Sequence, residues 1–261
     1  MGTVATGIDD FRELREQRLA YPDRSLLVRD VLDHGGQAIL LPRPRGAGKS
    51  VDLSMLRRYF EHLEEDLSSL FVDLDIAQAG DAYLDEFQRY PVVYLSLGGI
   101  DGVTWEQAWV ALQERIERAF YDHAYLLDSP ELSDEEAREY RAVLAGVADR
   151  EKYETALLDL CRHLRIHHGE KVVMLIDDYD GPVRAGLVGG YTAEILGFYR
   201  AFLNAGLKGN PHLFKAVLTG TLSEAGESKP GAAGARAPQV RVCSFIEARD
   251  RLFDWAPIYA A

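Results

Sequence analysis

Cysteine is scarce in this chain: Cys161 and Cys243 are the only two, and neither stands in a CxxC pair. A disulfide scaffold and a cysteine-rich zinc site are thereby excluded, and a reducing compartment is expected. Positive charge is scarce as well, with 29 Lys and Arg against 42 Asp and Glu and a formal charge of −13. Such a balance repels phosphate backbones, so nucleic acid is not an expected partner. The one dense basic cluster gathers Arg43, Arg45, Lys49, Arg57 and Arg58. Long apolar runs are missing: none approaches the ~20 residues that cross a bilayer. The opening MGTVATGIDDFREL also has no apolar leader core. A cytoplasmic location without a membrane partner is the expectation. No internal repeat and no NKxD-type guanine-reading motif is present.

The chain does have apolar residues, 47% over 261 positions, enough for a large α/β core. Five short apolar runs read as buried strands: QAILLP (37–42), PVVYLSL (91–97), KVVMLID (171–177), LFKAVLTG (213–220) and QVRVCSF (239–245). They lack polar alternation, which suits a parallel sheet covered on both faces. Between them, 50–67 has helical apolar spacing, 104–127 starts at the cap Thr104, and 133–146 opens on a capping box of Ser133 and Glu136. Gly146 suits the end of that helix, and a further helix over 152–169 leads into the third strand. Alternating strands and helices predict a three-layer α/β fold with a five-stranded, mainly parallel sheet. One domain over 1–261 is expected. Its parts are an N-terminal segment at 1–36, an inserted helical layer at 104–169 and a mobile Gly/Ala/Pro loop at 228–238.

LPRPRGAGKS (41–50) lies between the first strand and a helix. Its last three positions, Gly48, Lys49 and Ser50, satisfy the end of the phosphate-binding pattern G-x-x-x-x-G-K-[ST]. Arg43 stands where the first glycine belongs, followed by Pro44. Successive amides and the helix N-terminus favour an anion here. The nucleotide-binding candidates are Arg45, Gly46, Ala47, Gly48, Lys49, Ser50 and Val51. Lys49 would reach the β- and γ-phosphates, and the Ser50 hydroxyl would ligate Mg²⁺. Arg45 would meet either phosphate or an acidic partner. The plainer alternative is a helix N-terminus with a surface lysine.

A phosphate loop needs a partner acid at the carboxyl end of a buried strand. In KVVMLIDDYD, Val172 to Ile176 run directly into Asp177 and Asp178. Asp177 is the candidate for holding Mg²⁺ and Asp178 for polarising water, with Asp180 a second choice. Thr219, closing LFKAVLTG, would sense a γ-phosphate or merely cap its strand. ATP is preferred over GTP only because no guanine-reading motif is present.

These residues resemble the AAA-ATPase-like family often found beside a restriction-endonuclease-like nuclease domain. The resemblance covers roughly residues 7 to 228. It is carried by GIDDFRELREQRLAYPDRSLLVRDVL, with Tyr21-Pro22-Asp23-Arg24-Ser25 in place of Tyr–x–Asp–Lys–Thr, and by RPRGAGKS, YPVVYLSL, LIDDYDGPV and KAVLTGTL. It implies a P-loop fold, ATP and Mg²⁺, and it makes the Arg-Pro-Arg replacement of the first glycine a family trait. The chain departs from the family at Asp178, usually glutamate, at Ser223, usually arginine, and in the KPGAAGARAP loop, which replaces a Ser-Gly-Leu-Asn-Asn-like stretch. With the chain ending at Ala261, no nuclease activity is expected from it.

Other features read as structure. His167 and His168 would interact with a helix C-terminus, Trp105 and Trp109 would pack in the core, and the acidic runs 64–66 and 134–136 would be solvated. Three functions remain open: a Mg²⁺-dependent ATPase, a nucleotide-gated interaction protein with little or no hydrolysis, and a kinase. A homo-oligomer or protein partner could supply the missing arginine.

Overall fold

The computed structural model describes residues 7–42 and 46–220 and the backbone of 243–244. In chain order the helices and strands are α1 (Phe11–Glu16), α2 (Leu27–Asp33), β1 (Ala38–Pro42), α3 (Lys49–Phe60), α4 (Asp81–Leu84) and β2 (Val92–Ser96). There follow α5 (Trp105–Tyr121), α6 (Asp134–Leu144), α7 (Arg150–His168), β3 (Val172–Asp177), α8 (Gly181–Gly189), α9 (Thr192–Leu207), β4 (Leu213–Gly220) and β5 (Cys243–Ser244).

The sheet order is β2-β3-β4-β1-β5. Its parallel part has four strands, and β5 adds two residues antiparallel to β1. The sheet expected from the sequence, five-stranded and mainly parallel, is narrowed to four parallel strands with β5 as a two-residue antiparallel edge. The rest of the run at 239–245 and the loop at 228–238 lie outside the described residues. Register aligns the strand tips: Ser96 pairs with Asp177, Ile176 with Leu218, Leu41 with Thr219 and Pro42 with Gly220. The phosphate-loop candidate and the acidic strand end therefore leave the same edge of the sheet, with β4 between them.

Strand side chains alternate between two cores. Val172, Met174 and Ile176 join one face with α5, α6, α7, α8 and α9. Val173 and Leu175 join the other with α1, α2 and α3. Val172 to Ile176 are all fully buried. At ~1.5–3 kcal/mol per buried side chain, they anchor β3 more firmly than hydrogen bonds worth ~1 kcal/mol each. The tip of β3 can thus carry polar groups without loosening the strand.

The caps in the helical segment at 104–169 follow the sequence. Thr104 accepts from Gln107 N, the Ser133–Glu136 capping box is formed, and Gly146 follows α6 with φ 68°. Tyr140 fastens α6 to the end of α5 by donating to the carbonyls of Phe120 and His123 at 2.7 and 3.0 Å. Trp105 and Trp109 pack on this core.

Two expectations are corrected. The helix expected over 50–67 stops at Phe60, because Glu61 turns to extended backbone and His62 N donates to Tyr90 O at 2.8 Å. Leu67 still reaches the core, through a short 3-10 turn that follows it at Ser68–Leu70. Attraction to a helix C-terminus does not explain His168, whose pKa is pushed down to about 4 by burial and by the neighbouring His167 and His62. Among the described residues, no helix is long and apolar enough to cross a membrane.

Candidate active site

The loop enters α3 through two glycines in left-handed backbone, Gly46 (φ 74°) and Gly48 (φ 78°). Gly48 is the N-cap and supplies no side-chain hydrogen bond to the first turn. Lys49 and Ser50 open the helix, and Lys49 is buried. Arg43, Pro44 and Arg45 lie outside the described residues.

Arg24, from the segment before α2, lies against this loop. Its Nη1 donates to the carbonyl of Ala47 at 2.7 Å, and its Nε stands 3.4 Å from Oδ1 of the buried Asp52 on α3. A Cβ on Gly48 would come within 2.7 Å of the Arg24 guanidinium. Gly48 is therefore required for its backbone angle and for the approach of this arginine.

Across β4 stands the acidic tip of β3. Asp177 is only 4% exposed. The Ser50 hydroxyl donates to its Oδ2 at 2.6 Å, and Thr219 and the amide of Asp178 both donate to its Oδ1. Ser50 and Asp177 are 127 residues apart in sequence, yet their side chains touch. Asp178 follows with φ 50°, a left-handed angle that aspartate adopts more readily than most residues with a side chain. Burial pushes the Asp178 carboxyl up from its usual range, and so does the negative charge of Asp177, while Lys49 pulls it back. A Cβ on Gly98, beyond β2, would stand 3.0 Å from Asp178 Oδ2, so glycine there makes room for the carboxylate. Asp180 is fully buried and paired with Arg184 on α8.

The fold thus brings together Gly46, Gly48, Lys49, Ser50, Asp177, Asp178 and Thr219, with Ala47 held from behind by Arg24. Val51 is buried in α3 and anchors the helix. Asp180 turns toward Arg184. Sequence reading missed the roles of Arg24, Asp52 and Gly98. The one available signal was an aspartate among the apolar positions of α3, which needs a cation to be buried.

A family model described as "Predicted AAA-ATPase" matches residues 5–228 of the chain. No curated protein matches it, and no solved structure does.

Proposed function

The chain belongs to the predicted AAA-ATPase family, and we propose that it binds ATP with Mg²⁺ at residues 46–50 and hydrolyses it. The observation that carries this reading is the contact of Ser50 Oγ with Asp177 Oδ2 at 2.6 Å. A hydroxyl and a carboxylate side by side at a helix N-terminus are oxygen donors of the kind a hard cation takes. The first turn of α3 has no side-chain cap, which suits an anion on its amides. Among the described residues no three His, Cys, Asp or Glu form a metal cage. Magnesium would therefore rest on Ser50, Asp177 and the phosphates themselves. Bound there, it would neutralise charge on the phosphate chain.

In this reading the amides from Gly46 to Ser50 hold the phosphates, Arg45 adds charge at the loop, and Val51 seats the helix. Lys49 neutralises the transferring phosphoryl group. Asp178 orients the attacking water. Thr219 keeps Asp177 aimed and would register a change at the γ-phosphate.

A second reading, nucleotide-gated interaction with little turnover, is favoured by the short side chain of Asp178 lying over Gly98. Phosphate release under saturating Mg-ATP separates the two. An arginine given by a second copy or a protein partner would make turnover rise with protein concentration. The central test is calorimetry with Mg-ATP. Lys49→Ala should weaken binding by roughly 100-fold or more, the scale of a lost charge-assisted contact in a buried site. Unchanged affinity would remove the assignment.

A further inference from the structure

We infer that Arg24 is a positioning residue of the nucleotide site, fixing the peptide between Ala47 and Gly48 so that the loop is formed before a ligand arrives. The inference rests on the nucleotide reading above and assigns part of the site to a segment outside the loop.

A trans peptide points its carbonyl and its N–H in opposite directions. Arg24 Nη1 holds the Ala47 carbonyl at 2.7 Å. The Gly48 N–H of the same peptide must then point away from Arg24. Left-handed glycines flank the loop and could let that peptide turn over at little steric cost, so the loop needs an outside hold. Asp52 steadies the guanidinium, 3.4 Å from Nε and 3.5 Å from Nη1. Asp52 is itself fully buried one turn into α3, so the arginine ties the loop to the helix that the loop starts.

The neighbours of Arg24 are anchored as well. Asp23 accepts from the amides of Ser25 and Asp75, each at 2.8 Å, and the Ser25 hydroxyl accepts from Ile76 N at 3.1 Å. Ser25 is fully buried. The backbone that presents Arg24 is therefore rigid, as preorganisation of a binding loop requires.

Calorimetry with Mg-ATP, Mg-ADP and inorganic pyrophosphate tests this, on the full chain and on Arg24→Gln, Arg24→Lys and Asp52→Asn. Arg24→Gln should weaken all three ligands about tenfold, with stoichiometry unchanged, the scale of one misdirected hydrogen bond to a charged group. Lys can reach Ala47 or Asp52 but not both in the same fork, so Arg24→Lys should recover only part of the loss. Asp52→Asn should lose less than Arg24→Gln. A merely structural role would lower the binding-competent fraction and leave affinity unchanged, and that outcome overturns the inference. Wild-type affinity in Arg24→Gln or in both other variants overturns it too. A wild-type chain that binds none of the three ligands would instead overturn the nucleotide reading, and this inference with it.

Discussion

The carboxyl end of α7, just before β3, gathers His167 and His168 with Tyr125 and Ser129, and His123 stands beside Tyr125 and Val92; at the far end of β3, Asp177 closes the strand and Asp178 follows it. The histidine end is cross-bonded. His167 Nδ1 meets Ser129 Oγ at 2.8 Å, and His168 Nε2 meets the Tyr125 hydroxyl at 2.8 Å. Burial pushes His123 and His168 down to about 4, helped by Arg57 beside His123 and by the imidazoles of His167 and His62 beside His168. Both are neutral at pH 7. At the carboxylate end, three donors converge on Asp177 and a second carboxylate is held beside it. One end keeps two imidazoles neutral and the other concentrates carboxylate charge. Crowding two carboxylates at a strand tip opposes stability, which supports the magnesium site proposed there.

Exchanging each carboxylate for its amide should sharpen that contrast most. In Asp177→Asn the amide oxygen still accepts from the Asp178 amide and the Thr219 hydroxyl, and the Ser50 hydroxyl can turn to accept from the amide nitrogen. Folding should survive. The Mg²⁺ dependence of ATP binding should disappear, and turnover should fall by roughly 10³-fold, as when electrostatic stabilisation is removed from a buried site. Asp178→Asn should keep Mg-ATP affinity and lose about 10²-fold in phosphate release, the share of a general base. Titrating both variants with Mg-ATP and following phosphate release checks this. Equal losses of affinity in the two would show that the carboxylates do not divide the work.

Both halves of the candidate site were legible in the sequence for local reasons. Gly48-Lys49-Ser50 sits on a strand-to-helix junction, and the apolar run of β3 ends abruptly in acid. The hold of Arg24 on Ala47 was not legible, since it joins residues 23 apart with no shared periodicity. Four strands were placed because each is a short apolar run. The helices α8 and α9 had no such signal: glycines at 181, 186, 189, 197 and 206 blur their apolar faces. His168 was misread by assuming it carries charge. A helix terminus stabilises a cation by ~0.3–1 kcal/mol, and burial that takes His168 to about 4 outweighs this several times over.

The histidine end makes its own prediction, smaller than the loss of a catalytic carboxylate. His123, His163 and His168 all have pKa values near 4 in the folded chain. Unfolded, each returns to about 6.5. Between those values the unfolded chain binds more protons, so stability is complete above about pH 6.5 and falls as the pH drops toward 4. A group fully held neutral contributes about 3 kcal/mol across that window. Partly exposed His168 should contribute less than buried His123. Denaturant melts from pH 7.5 to 4.5 measure the loss, and His123→Gln should flatten it. A flat profile in the wild type would show that these rings gain protons without opposing the fold.

The smallest expected effect asks whether the two ends are independent. Ser133 and Glu136 close the capping box of α6, and Glu136 also pairs with Arg162, whose Nη2 lies 3.0 Å from His163 Nε2. The cap, the ion pair and a buried neutral ring thus form one chain of contacts on the helical side of the molecule. The Glu136 carboxyl is held down to about 2, first by the Ser133 hydroxyl and amide and then by Arg162. Removing the hydroxyl in Ser133→Ala should cost about 1 kcal/mol, the usual contribution of an N-cap. That loss should appear in urea melts at pH 7 as a lower midpoint with an unchanged slope. ATP affinity should not move, because nothing in this chain of contacts touches Ser50, Asp177 or the loop. A cap mutation that weakened nucleotide binding would mean that α6 and the strand tip respond together, and the separation of the two ends of β3 would fail.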